Sequence, residues 1–163
     1  MSVQAPEIAP VVEALEARFP GAVTERRTDR GQTIAYVAPA SIVEVCRFLK
    51  EEQQFERLAG ITVVDWYPLE PRFEVVYFVH SIRRQQRLRL KCRVSEEQAE
   101  LDSLTDVWRS ADWYEREVYD LFGIRFRGHP NLRRIMLPED WEGHPLRKDY
   151  PVHGFKYSYK DEP

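Results

Sequence analysis

Cysteine is scarce in this chain: among 163 residues only Cys46 and Cys92 carry thiols, far apart and without a CxxC neighbour. Two isolated thiolates cannot supply the ligand set of an iron-sulfur cluster or a disulfide framework, so buried structural thiols are expected. Long apolar runs are missing as well. The longest, around Val75 to Val79, falls far short of the roughly 20 residues that cross a bilayer. The opening MSVQAPEIAP has neither the basic nor the apolar region of a secretory signal, and a soluble, cytoplasmic chain is expected. No GxGxxG, Walker A, HExxH or GxSxG pattern occurs, and no Ser or Cys lies in a nucleophile context. Nucleotide-loop, zincin and serine-hydrolase chemistries therefore have nothing to rest on. Net charge is only −3, with Lys and Arg spread along most of the chain, which gives no global field for a polyphosphate or an anionic membrane.

What is present is an ordinary globular balance. The 43% hydrophobic and 31% charged residues exclude disordered and collagen-like classes, and the length suits one packed core. Glu7 to Phe19 spaces Ile8, Val11, Val12, Leu15 and Phe19 as an amphipathic helix that Pro20-Gly21 stops. Ala22 to Thr28 and Thr33 to Ala38 read as strands joined by a hairpin at Asp29-Arg30-Gly31. Ser41 and Glu44 form a capping-box pattern for a second helix from about Ile42 to Glu52. Ile61 to Trp66, Phe73 to His80 and Gln86 to Val94 are β-branched and aromatic, with turn chemistry at Pro68 to Pro71. In the last of these, Leu88, Leu90, Cys92 and Val94 alternate with Arg87, Arg89, Lys91 and Arg93, which puts one face in a core and one in water.

The order αββαβββ predicts an α+β fold: a two-layer sandwich with both helices on one face of a mixed, largely antiparallel sheet, over residues 1–100. Residues 101–163 are expected to add a short turn of helix over Leu104 to Arg109, a helix from Ala111 to Phe122 capped by Ser110 and ended by Gly123, and an extended, proline-rich docking tail. The two parts form one structural unit. Pro130, Pro138, Pro145 and Pro151 interrupt any regular element in that tail, so something must hold it.

On the third helix Tyr114, Val118 and Leu121 share an apolar stripe, Arg116 and Asp120 are spaced to pair, and Glu117 borders the stripe and needs a partner. Arg133, Arg134, Arg147 and Lys148 are the candidate cations to bind Glu117 or Asp120 and so dock the tail. Glu115, Glu117 and Asp120 could alternatively form an acid/base pair of a small hydrolase, but an ion-paired helix face is far commoner. His129, His144 and His153 with Asp149 contain zinc-ligand chemistry, yet none has a second His at helical spacing and two precede a proline. The basic strand suggests a polyanion surface. With no aromatic alternating among its Arg residues, a solvated or partner-facing role outranks nucleic acid. Trp141 to Pro151 combines hot-spot residue types on a stiff, unpaired backbone.

The run Tyr114-Glu115-Arg116-Glu117-Val118-Tyr119-Asp120-Leu121-Phe122-Gly123-Ile124, followed by Gly128-His129-Pro130, Leu132-Arg133-Arg134-Ile135 and Trp141 to Pro151, closely resembles the C-subunit signature of NADH:quinone oxidoreductase, respiratory complex I. The resemblance implies a peripheral-arm scaffold protein packed on the D-type, quinone-site subunit and next to the B-type, cluster-bearing one, on the cytoplasmic side of a bacterial inner membrane. It implies no nucleic-acid partner and membrane contact only through the complex. FMN, iron-sulfur clusters, NADH and a quinone would belong to other subunits, and this chain would hold no cofactor, no metal and no catalytic residue. Glu115, Arg116, Glu117, Asp120, Gly123, His129, Pro130, Arg133, Arg134, Trp141, Pro145, Leu146, Arg147, Lys148 and Asp149 would be interface and structural positions. Related modules of membrane-bound hydrogenases and of ferredoxin- or F420-linked dehydrogenases share the pattern.

Overall fold

The computed structural model describes residues 8–155. Helix α1 (Ala9–Arg18) carries Pro10 in its first turn and buries Val11, Val12 and Leu15. The expected start at Glu7 lies outside the described residues. Strands β1 (Val23–Asp29) and β2 (Gln32–Val37) form a hairpin whose two loop residues, Arg30 and Gly31, both have positive φ, 48° and 75°. That turn twists with its strands, and the glycine accepts the left-handed conformation without a Cβ penalty.

A single 3₁₀ turn over Pro39–Ser41 leads into helix α2 (Ile42–Glu51). Its start departs from the capping-box expectation: Ser41 makes no side-chain cap, because it already belongs to the preceding turn and is held through its backbone by Ala38. The helix forms on its apolar stripe instead. Ile42, Val45, Cys46, Phe48 and Leu49 are all buried, each contributing roughly 1.5–3 kcal/mol by leaving water.

Strands β3 (Arg57–Asp65), β4 (Phe73–Ser81) and β5 (Gln86–Val94) complete a five-stranded sheet in the order β1-β2-β5-β4-β3. Only β2 and β5 run parallel; the other neighbours are antiparallel. The chain between those two strands contains α2, the kind of crossover that a parallel pair needs. In β3 the strand begins four residues earlier than its β-branched stretch suggests, because pairing of Arg57 and Leu58 with His80 and Val79 extends the ladder through a bulge.

Two further strands were not expected. β6 (Glu100–Asp102) and β7 (Arg125–Arg127) form a separate parallel pair on either side of α3 (Ala111–Phe122). Three residues each carry too little periodicity to read, and only tertiary placement brings them together. Leu101 and Phe126, their middle residues, are buried and pair in register. The expected short helical turn after Ser103 is a turn closed by the N–H groups of Val107 and Trp108 on the Leu104 carbonyl.

The core is continuous from α1 to β7. Leu15, Leu49, Phe73, Tyr77 and Leu90 belong to the same buried cluster as Leu104, Trp108, Val118 and Phe126. Arg87 and Arg93 on β5 are exposed while Leu88, Leu90, Cys92 and Val94 are buried, as their alternation requires. Burial also accounts for the thiols: Cys46 is pushed up in pKa, and Cys92 to about 12. Both are inert as nucleophiles near neutral pH.

Candidate functional site

The site is the end of α3 and the segment that folds back over it. An α-helix leaves its last carbonyls without intrahelical donors and concentrates partial negative charge there. In α3 the chain reverses at Gly123, which sits at φ 76° and donates its N–H to the Tyr119 carbonyl. The next carbonyls are taken by residues from downstream. The Asp120 carbonyl receives His144 Nδ1 at 2.9 Å and Arg134 Nη1 at 3.2 Å. The Leu121 carbonyl receives the Leu146 N–H at 3.1 Å, and the Phe122 carbonyl receives Arg147 Nε at 2.6 Å. Two guanidinium groups thus meet the negative end of the helix.

The Asp120 side chain, fully buried, is the centre of this clasp. Its Oδ1 accepts Arg134 Nη1 at 2.6 Å, while Oδ2 accepts the backbone N–H groups of Ile135, Met136 and Leu137 at 3.0, 2.7 and 2.9 Å. Burial alone would raise its pKa, but Arg134 and the three amides hold it below the ordinary carboxylate range. Arg134 then spans the turn with Nη2, donating to the carbonyls of Trp141 and Gly143 at 2.9 and 3.1 Å. Arg116 adds two bonds to the carbonyls of Arg133 and Arg134, each 3.2 Å.

A second clasp ties the segment to the sheet. Arg72, immediately before β4, is 1% exposed and forks onto Asp65 at the end of β3, with Nε and Nη2 at 3.0 and 2.9 Å. Its terminal nitrogens also reach Asp149 at 3.1 and 2.5 Å and Glu96 at 2.7 Å. Asp65 also accepts the backbone N–H of Lys148 at 2.8 Å. Burial pushes the Asp65 carboxyl up, yet the Arg72 fork and the N–H groups of Lys148 and Tyr67 outweigh it and hold the group at about 2.

These contacts support one sequence expectation and correct three. Arg134 does bind Asp120. The exceptional carboxylate of α3, however, is Glu115 and not Glu117: Glu117 is exposed, whereas Glu115 is 0% exposed. The α3 face that packs inward is set by β3 and the turn at Leu104, which a helical wheel drawn alone does not contain. Glu115 accepts Ser103 Oγ and the Leu104 N–H, both at 2.6 Å, and desolvation raises its carboxyl to about 7. Arg116 does not pair with Asp120, since Arg134 occupies that carboxylate. Ser110 gives no helix cap; its hydroxyl donates to the Leu58 carbonyl of β3 at 3.2 Å.

Of the remaining predicted residues, Arg133 contributes its carbonyl and Lys148 its N–H, so neither supplies the expected side-chain cation to the clasp. His129 accepts the Asn131 N–H on Nδ1 and places Nε2 3.2 Å from the Asp112 carbonyl. His144 is committed to Asp120, and burial lowers its pKa. Among the described residues no three His, Cys, Asp or Glu side chains gather as a metal site. Pro130 lies in the turn after β7, while Trp141, Pro145 and Leu146 lie on the returning segment, where a groove of about 660 Å³ is lined by Trp141, Pro145, Tyr150, Val152 and Phe155. Arg72, Asp65 and Glu96 were missed from the sequence. A basic residue directly before a β-branched strand carries no mark of burial, and its partners lie 7, 24 and 77 residues away.

A small α+β module whose returning segment is pinned by buried ion pairs is the class that this geometry defines. It is similar to a solved structure described as Nqo5, trypsin-resistant fragment (1-134), with a TM-score of 0.68 and 32% identity over 77% of this chain and 98% of that one. The family model described as Respiratory-chain NADH dehydrogenase, 30 Kd subunit, matches residues 35–156, and the chain belongs to that family. It is 46% identical to the NADH-quinone oxidoreductase C subunit of Geotalea uraniireducens (strain Rf4) over 140 residues, 86% of this chain and 85% of that protein. It is 48% identical to the corresponding protein of Trichlorobacter lovleyi (strain ATCC BAA-1151 / DSM 17278 / SZ) over 144 residues, 88% and 89% of the two chains. A chain in the structure of the membrane-bound sulfane sulfur reductase, an archaeal respiratory membrane complex, aligns with a TM-score of 0.76 and 27% identity over 88% of this chain and 85% of that one.

Proposed function

We propose that this chain is the cofactor-free scaffold of the peripheral arm of a proton-translocating NADH:quinone oxidoreductase. It packs on the D-type, quinone-site subunit and on the B-type, cluster-bearing one, and holds them beside one another at the cytoplasmic side of a bacterial inner membrane. The reaction belongs to the assembly. Among the described residues no helix is long and apolar enough to cross a membrane, and attachment runs through the other subunits.

The observation that carries this reading is how the signature residues are used. Asp120, Arg134, Arg147 and Asp149 spend their charges on the chain's own backbone and on Arg72, which leaves the segment after β7 held in place without helix or strand. That segment turns apolar side chains outward: Met136 is 64% exposed, Leu146 52% and Val152 95%. A pre-organised apolar surface of this kind loses little entropy on docking, which is what a permanent interface favours. The experiment is affinity purification of the tagged chain from mildly solubilised native membranes, with mass spectrometry and a quinone-reduction assay. Recovery of the D-type and B-type partners with NADH-dependent quinone reductase activity is expected, and a lone monomer would overturn the reading.

A second reading is supported by the similarity to the sulfane sulfur reductase chain. The same scaffold could serve a related respiratory complex, of the hydrogenase or ferredoxin- or F420-linked type, with another electron donor. The same preparation separates the two, by whether NADH or another donor reduces it.

A further inference from the structure

The five-stranded sheet has a second face, opposite α1 and α2, on which β5 presents Arg87, Arg89, Lys91 and Arg93. Register places Tyr36 of β2 beside Lys91, and Glu74, Phe78 and His80 of β4 beside Arg93, Arg89 and Arg87. The strand itself carries no aromatic, as its sequence reads, but neighbouring strands bring two rings beside it. They are not open stacking platforms. Arg27, Lys91 and Arg93 lie over Tyr36 at 5.5, 5.4 and 4.7 Å, and Arg89 lies over Phe78 at 5.4 Å. Rings already covered by cations cannot take the bases of a single-stranded nucleic acid.

The two ends of this face differ in charge. At one end Glu74, 1% exposed, accepts Lys91 at 2.5 Å and Arg93 at 3.2 Å, so the cations there are balanced. At the other end, among the described residues, Arg57, Arg87 and Arg89 form no ion pair. Asp29, in register with Gln32 on the edge strand, pairs with none of them. Arg89 donates Nη2 to the Gln32 side chain, but its buried Nε has no acceptor. Between Gln32, Phe78, His80, Arg87 and Arg89 lies a cavity of about 130 Å³, room for a carboxylate with a few waters at about 30 Å³ each. His80 is held below its ordinary pKa by burial and by the cations Arg87 and Arg57, as a locally positive field requires.

We propose that this end of the open face is an interface for an acidic segment of a neighbouring protein in the assembly, one of whose carboxylates enters the cavity between His80, Arg87 and Arg89. A carboxylate there would neutralise a cluster that the chain leaves unpaired, beside the two arginines that line the cavity. The inference rests on the reading that the chain works inside an assembly, and it assigns a contact on the sheet face opposite the helices.

The test uses the assembled complex carrying Arg87→Lys, which introduces a primary amine, treated with a zero-length carbodiimide coupling reagent. An amide between position 87 and an Asp or Glu of another protein of the complex is expected. In a second preparation Arg87→Glu with Arg89→Glu should lower recovery of the partners by about tenfold or more, while the isolated chain still folds with a single cooperative thermal transition. Full assembly with position 87 uncoupled, or full recovery of partners with the double charge reversal, would overturn the proposal while leaving the scaffold reading intact. If no partners co-purify even with the unaltered chain, it is the scaffold reading that fails. Retention of poly-uridylate by the isolated chain, abolished by the same double variant, would assign the face to nucleic acid and sink the proposal.

Discussion

Asp120 and Arg134 are 14 residues apart in sequence and 2.6 Å apart in space, and through this pair the end of one helix controls the course of the next two dozen residues. The carboxylate orders a turn by taking three consecutive backbone amides. The guanidinium carries the same constraint on to Trp141 and Gly143. A buried, fully satisfied pair of this type gives a unique geometry, and removing one partner leaves the other without compensation.

Asp120→Asn keeps the shape and removes the charge. Its amide cannot accept both from Arg134 and from three N–H groups, so the cost should be about 3 kcal/mol or more. Because the bonds lost are those that hold the returning segment and not those of the sheet, the loss should appear first as local opening. Limited proteolysis would show faster cleavage within residues 133–150 than in the unaltered chain, with a smaller drop in thermal midpoint; equal cleavage rates would contradict the assignment.

Arg72→Met should destabilise by about 3–5 kcal/mol, since it leaves Asp65 buried without its counter-ion. Asp65→Asn in the same chain should recover part of that loss. Denaturant unfolding of the two single variants and the double variant measures the coupling, and additive effects would show that the pair is not energetically linked.

Stability should fall on both sides of a mildly acidic optimum, for opposite reasons. Asp65, held at about 2, binds its proton less tightly folded than unfolded. Its contribution, about 2 kcal/mol, is present above its ordinary pKa and is lost as pH falls through that value toward 2. Glu115, raised to about 7 by burial, binds its proton more tightly folded. Its stabilisation is complete below its ordinary pKa and is lost as pH rises to about 7, at a cost of roughly 2–4 kcal/mol. Glu115→Gln should flatten the decline between about pH 5 and 8 and leave the acid limb unchanged. Thermal midpoints across pH for both chains check this, and an unchanged neutral limb would rule Glu115 out.

Gly123→Ala should disrupt the returning segment more than a surface glycine change does. The position has φ 76°, and a Cβ there would lie 2.5 Å from His144 and 2.7 Å from Arg147 Nη2. Strain and displacement of both side chains together should cost about 2 kcal/mol or more. Gly31→Ala, at a similar φ of 75° with no atom in the way, is the control that isolates the steric part by thermal unfolding.

Much of the fold was legible in the chain because its signals are local. The alternation of Arg87 to Val94 sets β5 and Gly123 ends α3, whereas α2, read from a cap at Ser41 that does not form, rests on the buried stripe of Ile42, Val45, Cys46 and Leu49. The family was legible from residue types and spacings in the segment after Tyr114. What the sequence left open was which polar groups are buried. Glu115 and Glu117 are two positions apart on one helix, and only the packing against β3 and the Leu104 turn decides that the first is enclosed and the second faces water. Arg72 is an unremarkable basic residue until the end of β3, the turn after β5 and the returning segment converge on it with three carboxylates. Periodicity and capping act over a few residues and can be read along the chain. Desolvation and ion pairing depend on what arrives from far away, and those the tertiary structure alone determines.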